Sequence, residues 1–212
     1  MKSVVKLLLI DVIYWMFSPL RFLFQRFLRR SFLDLLPKLF RGVSEALFLT
    51  SRFYFYHERQ LSFFLSRLKG NSFIDIGAEC GHYVLMLSTN FKEIFAFEPS
   101  PKTFPCLIKN ISLFKIKNVK AFKYAISDKD GIAPFYLATH RGYDSLYRQD
   151  LTIGTEKVIS CKTYSLSSIF RLFSLTEVDL IKIDVEGAED LVLKGAEPII
   201  EKVRTWVVEI HA

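Results

Sequence analysis

Half of the chain's 212 residues are apolar, enough to bury a full core, which excludes disorder for most of its length and favours one domain with room for an appendage. The net charge of +7 is segregated: residues 1–70 carry 12 Lys and Arg against 4 acids, +8, while the other 142 carry 17 against 18, −1. That first third also holds 11 of the 21 Phe, a cationic and oily mixture that suits an anionic membrane surface better than a plain linker.

The first 20 residues look superficially like a signal sequence, but Asp11 interrupts the apolar stretch and no small-residue cleavage site follows. The longest uncharged piece there, Val12 to Leu20, is nine residues, against the roughly 18 needed to span a bilayer. No transmembrane helix is expected. Ser18 and Pro19 make a helix start, and Leu20, Leu23, Phe24, Phe27 and Leu28 recur at helical spacing until Pro37, with Arg21, Arg26, Arg29 and Arg30 mostly off the stripe. Two readings stand: a helix packed on the domain's own core, or one lying in a membrane plane. We therefore separate a basic, Phe-rich helical extension, residues 1–55, from a globular domain, residues 56–212. A second helical stretch, about residues 55–68, leads into the turn Lys69-Gly70-Asn71.

From residue 72 short apolar runs alternate with helical patterns, as in βαβ units with a parallel sheet. Strands are expected near 72–76, 93–97, 119–126, 178–184 and 204–210, and helices near 82–89, 101–114, 165–173 and 188–196. The stretch from Gly131 to Cys161 breaks the alternation: IAPFYLA and KVISC look like extra strands around a polar loop, HRGYDSLYRQD, which is a candidate substrate lid. Cys80, Cys106 and Cys161 are odd in number and widely spaced, so neither a disulfide framework nor a thiolate metal site is indicated, and a reducing, cytoplasmic setting fits.

Ligands of doubly wound sheets bind at the carboxyl ends of the strands. The ends available here are Asp75, Glu98 and Asp184, and Glu98 lies 23 residues past Asp75, near the offset at which an acid meets ribose hydroxyls. The turn FIDIGAECGHY carries Gly77 and Gly81 but also Glu79. A pyrophosphate would face that carboxylate, and two like charges about 4 Å apart repel by roughly 4 kcal/mol at an effective dielectric of 20. S-adenosylmethionine has no phosphate and carries a sulfonium and an ammonium, so the loop favours it over NAD or FAD. Glu79 also has a plainer reading, as a solvated loop residue.

FIDIGAECGHY, AFEPSP, AISDKDG and DLIKIDVEGAEDLVLKGA, in this order and spacing, resemble the FkbM family of S-adenosylmethionine-dependent methyltransferases over about residues 60–211. The resemblance implies an α/β fold, the class I methyltransferase (Rossmann-like) doubly wound sheet, and methyl transfer to hydroxyl oxygens of sugars and other natural products; taken with the segregated charge, the expected acceptor is a glycan, a lipid-linked or another small molecule. It also implies that Asp75, Gly77 and Gly81 shape the donor pocket, that Glu98 holds the ribose, and that Ser127 and Asp128 lie near the adenine. Four departures stand out: Glu79 for the usual asparagine, Cys80 for an aliphatic residue, Ser167 for a frequent aspartate, and a chain that stops directly after the fifth strand where the class I sheet continues with two more. A short sheet, a partner that completes it, and a fragment are the three alternatives for the last.

On the acceptor side Asp184 or Glu186 is the candidate base, and His211 is the other, with a pKa naturally near neutrality and Glu209 on its face to orient it. A Lys182–Asp184 pair that only braces the strand is the plainer reading. No metal assignment follows from the sequence. Competing functions are a non-catalytic binding protein that keeps the fold and, less favoured, a nucleic-acid methyltransferase.

Overall fold

The computed structural model describes residues 59–139, 143–147 and 154–211. The expected helix of residues 18–37, its membrane reading, and the boundary at residue 55 lie outside the described residues. In chain order the elements are α1 (Arg59–Leu65), β1 (Gly70–Ile76), α2 (His82–Leu87), β2 (Phe91–Phe97), α3 (Phe104–Leu113), β3 (Val119–Phe122), β4 (Ala125–Ser127), β5 (Gly131–Ala138), β6 (Thr155–Ser165), α4 (Leu166–Leu172), β7 (Val178–Ile183), α5 (Glu189–Ala196), a 3₁₀ turn (Glu197–Lys202) and β8 (Val203–Val208).

Five strands form one parallel sheet in the order β3-β2-β1-β7-β8. Its strands read as near-continuous apolar runs because both faces are covered. One face presents Ile74, Ile76, Phe95, Phe97, Ile181 and Ile183 to Ile169 and Phe170 of α4 and Val192 and Ala196 of α5. The other presents Phe73, Ile94, Ala96 and Leu180 to Val84 and Leu87 of α2 and Leu107 of α3. The fold is thus the α/β doubly wound sheet expected from the alternation, with the order turning back between β1 and β7.

Two expectations are corrected. The strand expected over 119–126 is two strands: β3 stays in the large sheet, the chain bends at Lys123 and Tyr124, and β4 pairs instead with β6. The bend lets Tyr124 pack its ring against Phe97, Phe122 and Tyr164 with centroids 4.8–5.6 Å apart, aromatic contact that a straight strand would forgo. The segments IAPFYLA and KVISC are strands as expected but longer, and form an antiparallel pair, β5 and β6, in a second sheet ordered β4-β6-β5.

Ser165 closes β6 and caps α4, its hydroxyl accepting from the amide of Ser168. Ser167, one of the departures noted above, lies on α4 away from any cleft and donates to the carbonyl of Gly195 (3.0 Å), tying α4 to α5. Cys80, Cys106 and Cys161 form no disulfide among the described residues. Among the described residues no helix is long and apolar enough to cross a membrane.

Candidate active site

The carboxyl ends of β1, β2 and β7 lie side by side next to the switch in strand order, where the sheet leaves room for a ligand. Gly77, Glu79, Glu98, Asp184 and Glu186 line one open cleft there. Phe97, Tyr124, Ile126, Phe135 and Leu146 give it an apolar wall.

Gly77 is fixed by its neighbours. Its backbone takes φ 77°, and a Cβ there would sit 1.7 Å from the carbonyl oxygen of Asp184, so the turn after β1 passes the end of β7 at a distance only glycine allows. The amides of Gly77 and Ala78 both donate to the carbonyl of Phe97, at 3.0 and 3.1 Å. The loop is thereby tied to the ends of β2 and β7 together.

Glu98 is buried, and each of its oxygens accepts a backbone N–H at 2.8 Å, Oε1 from Ser100 and Oε2 from Glu79. Burial nevertheless pushes its pKa up to about 7, against the lowering effect of those amides. The Thr103 hydroxyl also interacts with this carboxylate and lowers its pKa; of the roughly four lone-pair sites of a carboxylate, this leaves room for a further hydroxyl donor. Asp75 is 1% exposed, and among the described residues neither of its oxygens has a hydrogen-bond partner. Its pKa is raised to about 6 by burial, with Lys182 acting the other way from 4.0 Å. Lys182, itself buried, binds Asp184 at 2.9 Å, which matches the bracing pair anticipated for this strand.

The turn after β7 and the chain beyond β8 gather more charge than the sequence suggested. His211 Nδ1 meets Glu189 Oε1 at 2.9 Å, while Nε2 faces Glu186 and Glu209 at 3.6 Å each and Asp184 at 4.0 Å. The bond to Glu189, with the other carboxylates, raises the histidine to about 9 against the effect of desolvation. Against the expectation of an imidazole near its ordinary value, these carboxylates favour the protonated form of His211, and Glu189 rather than Glu209 makes its shortest contact. Burial raises Glu186 to about 7, opposed by His211. Asp184, Glu186 and His211 each offer a ligand atom within 4.8 Å of the others.

Of the other residues singled out in the sequence, Gly81 starts α2 and Asp75 lies beneath the loop, so neither is part of the cleft wall. The wall reaches Ile126 and leaves out Ser127 and Asp128, whose side chains bond one another at 3.2 Å. Sequence reasoning missed Ser100, Asp144, Leu146 and Glu189. Glu189 sits within the DVEGAE motif and could have been found there; Asp144 carried no signal beyond its place in the polar loop.

The donor implied by the resemblance fits these residues: a wall of aromatic and apolar side chains for a flat base, a carboxylate with free lone pairs for hydroxyls, and an acidic loop for a cation. The profile described as the Methyltransferase FkbM domain matches residues 75–212. The chain is similar to the hexuronic acid methyltransferase AglP of Haloferax volcanii, at 30% identity over 144 residues covering 65% of this chain and 55% of AglP. It is similar also to the methyltransferase sdnD of Sordaria araneosa, at 30% identity over 177 residues covering 68% of each. It therefore spans about half of the first relative and two thirds of the second. Among solved structures, the methyltransferase FkbM of Methylobacillus flagellatus aligns over 79% of this chain and 44% of its own length, at 15% identity and a TM-score of 0.44.

Proposed function

Because the chain belongs to the FkbM methyltransferase family, we propose that it transfers a methyl group from S-adenosylmethionine to a hydroxyl oxygen of a glycan, a lipid-linked or another small-molecule acceptor. The observation that carries the donor is Glu98: a buried carboxylate held on both oxygens by backbone amides and open to the cleft. When bound, the donor supplies an electrophilic methyl carbon. Glu98 would accept the ribose hydroxyls, and Phe97, Tyr124 and Ile126 would flank the base. Gly77 and Glu79 would face the amino-acid end, with Asp75 lending negative charge from below.

For the acceptor, Glu186 is our choice of base. Its pKa near 7 matches the operating range in which a general base works best, and it lines the cleft. Its carboxylate would take the proton from the acceptor hydroxyl as that oxygen attacks. Asp184, bound to Lys182, would orient the hydroxyl, and the His211 imidazolium would hold the turn together and keep Glu186 partly ionised. Alignment of oxygen and methyl carbon should matter as much as proton removal. The hexuronic acid named for the Haloferax relative makes uronic-acid-containing glycans the first acceptors to assay.

Isothermal titration with S-adenosylmethionine and, separately, with NAD tests the donor. We expect binding of the first alone; NAD binding without S-adenosylmethionine binding would sink the proposal, and failure to bind either would favour a non-catalytic protein. A second reading, peripheral membrane association through residues 1–50, is motivated by the +8 charge and 11 Phe of the first 70 residues. Flotation of the full chain with anionic but not neutral vesicles is the outcome it requires.

A further inference from the structure

We propose that Asp144 is a positioning residue for the donor's ribose, a role that rests on the cleft being the adenosyl donor's site. Ser145 pairs with Tyr136 of β5 in both directions, at 2.8 and 3.0 Å, which pins residues 143–147 beside the cleft with Asp144 and Leu146 in its wall. Asp144 Oδ1 accepts the amide of Ala138 at 2.7 Å, and Oδ2 accepts the hydroxyl of Ser100 at 2.5 Å. Ser100 Oγ also receives the Lys102 amide at 3.1 Å, and because a carboxylate can only accept, the hydroxyl proton goes to Asp144. The amide of the same Ser100 donates to Glu98 Oε1. A continuous relay, Asp144 to Ser100 to Glu98, thus sets the angle of a carboxylate that must meet two adjacent hydroxyls at once.

A carboxylate accepts on both oxygens, as the amide of Ala138 and the hydroxyl of Ser100 both require, whereas an asparagine presents a donor to one of them. The neighbouring Ser145 makes the comparison available: its hydroxyl bonds the carbonyl of Val185 (3.2 Å) on the acceptor side, so it fastens the same segment without touching the relay.

Titrating the full chain with S-adenosylhomocysteine and with its 2′,3′-dideoxyribose analogue separates these roles. The wild-type chain should prefer the parent compound. Asp144→Asn should weaken the parent about tenfold, the effect of misaligning one buried hydrogen-bonded partner, and leave the analogue unchanged; Ser100→Ala should do the same from the other end of the relay. Ser145→Ala should leave both affinities within about twofold. Equal weakening of both ligands, or the same loss in Ser145→Ala, would mean that Asp144 only keeps the segment folded, and overturns the role. Discrimination left intact in Asp144→Asn overturns it too. If the wild-type chain bound neither compound, the donor assignment itself would fall, and this role with it.

Discussion

At Glu79 the backbone takes φ 49°, a left-handed conformation that costs a residue with a Cβ about 1–3 kcal/mol. Asparagine, the usual family residue at this position, enters that region far more readily. The sequence drew attention to Glu79 by its charge, but it is the geometry of the turn that makes the position particular. Its amide must point at Glu98 Oε2 (2.8 Å), and only a sharp reversal between two glycines brings it there. Glu79→Asn should therefore stabilise the protein by about 0.5–1 kcal/mol, part of that conformational cost, seen as a higher urea midpoint with an unchanged slope. A lower midpoint would mean that the Glu79 side chain contributes more than its backbone costs. Titrating the same variant with S-adenosylmethionine asks a different question: unchanged affinity marks the carboxylate as a solvated loop residue, and reduced affinity marks it as a donor ligand. Glu186 is left-handed as well, at φ 56°, so strained backbone recurs at the turns after both β1 and β7, where the cleft is built.

The elements themselves were legible wherever burial imposed a period. β1, β2, β7 and β8 appear within about two residues of their expected positions, because a strand covered on both faces must be apolar throughout. The break between β3 and β4 was not legible: VKAFKYAIS keeps its strand-like texture while the chain changes sheets, and the packing of Tyr124 on Phe97 and Tyr164 that accompanies the bend involves residues far from it in sequence. The Asp144 relay was hidden for the same cause, since Ser100 and Asp144 are joined only by the β5–β6 excursion. Gly195 marks another long-range seam. A Cβ there would lie 2.1 Å from the carbonyl oxygen of Ser127, so α5 rests directly on the end of β4. Gly195→Ala sets two effects against each other: about 1 kcal/mol gained in helix propensity and overpacking that costs about 1–3 kcal/mol or more when the obstacle is backbone. The second should win, leaving a net loss of about 1–2 kcal/mol in chemical denaturation. A stabilised variant would show that α5 does not bear on β4 so closely.

Across the whole molecule the buried charges give folding and ligand binding opposite responses to pH. The acidic strand ends were visible in the sequence, but their protonation was not, because it depends on burial and on a cluster assembled from β7, α5 and the chain beyond β8. Asp75, Glu98 and Glu186 have folded pKa values of about 6, 7 and 7, all above their ordinary values. The folded state therefore binds more protons than the unfolded chain from about pH 4 to 7, and the stability these groups contribute is lost as pH rises through that window. His211, raised to about 9, acts the same way between its ordinary value near 6.5 and pH 9. His82 opposes them at the acid end: burial lowers it to about 4, so its contribution is lost as pH falls from about 6.5 toward 4. Glu98 and Glu186 finish titrating by about pH 8, so the thermal midpoint of the ligand-free protein should fall between pH 7 and 9.5, and His211→Asn should flatten the part of that slope above about pH 8. Donor binding should run the other way. A ribose whose hydroxyls donate to Glu98, and a cation beside Asp75 and Glu79, both prefer ionised carboxylates, so binding expels protons and affinity rises with pH. The increase in thermal midpoint produced by S-adenosylmethionine should thus be larger at pH 8 than at pH 6, although the ligand-free midpoint at pH 8 is the lower of the two. An increase that is the same at both values, or larger at pH 6, would show that Glu98 stays ionised in the free cleft and that its burial does not govern donor recognition.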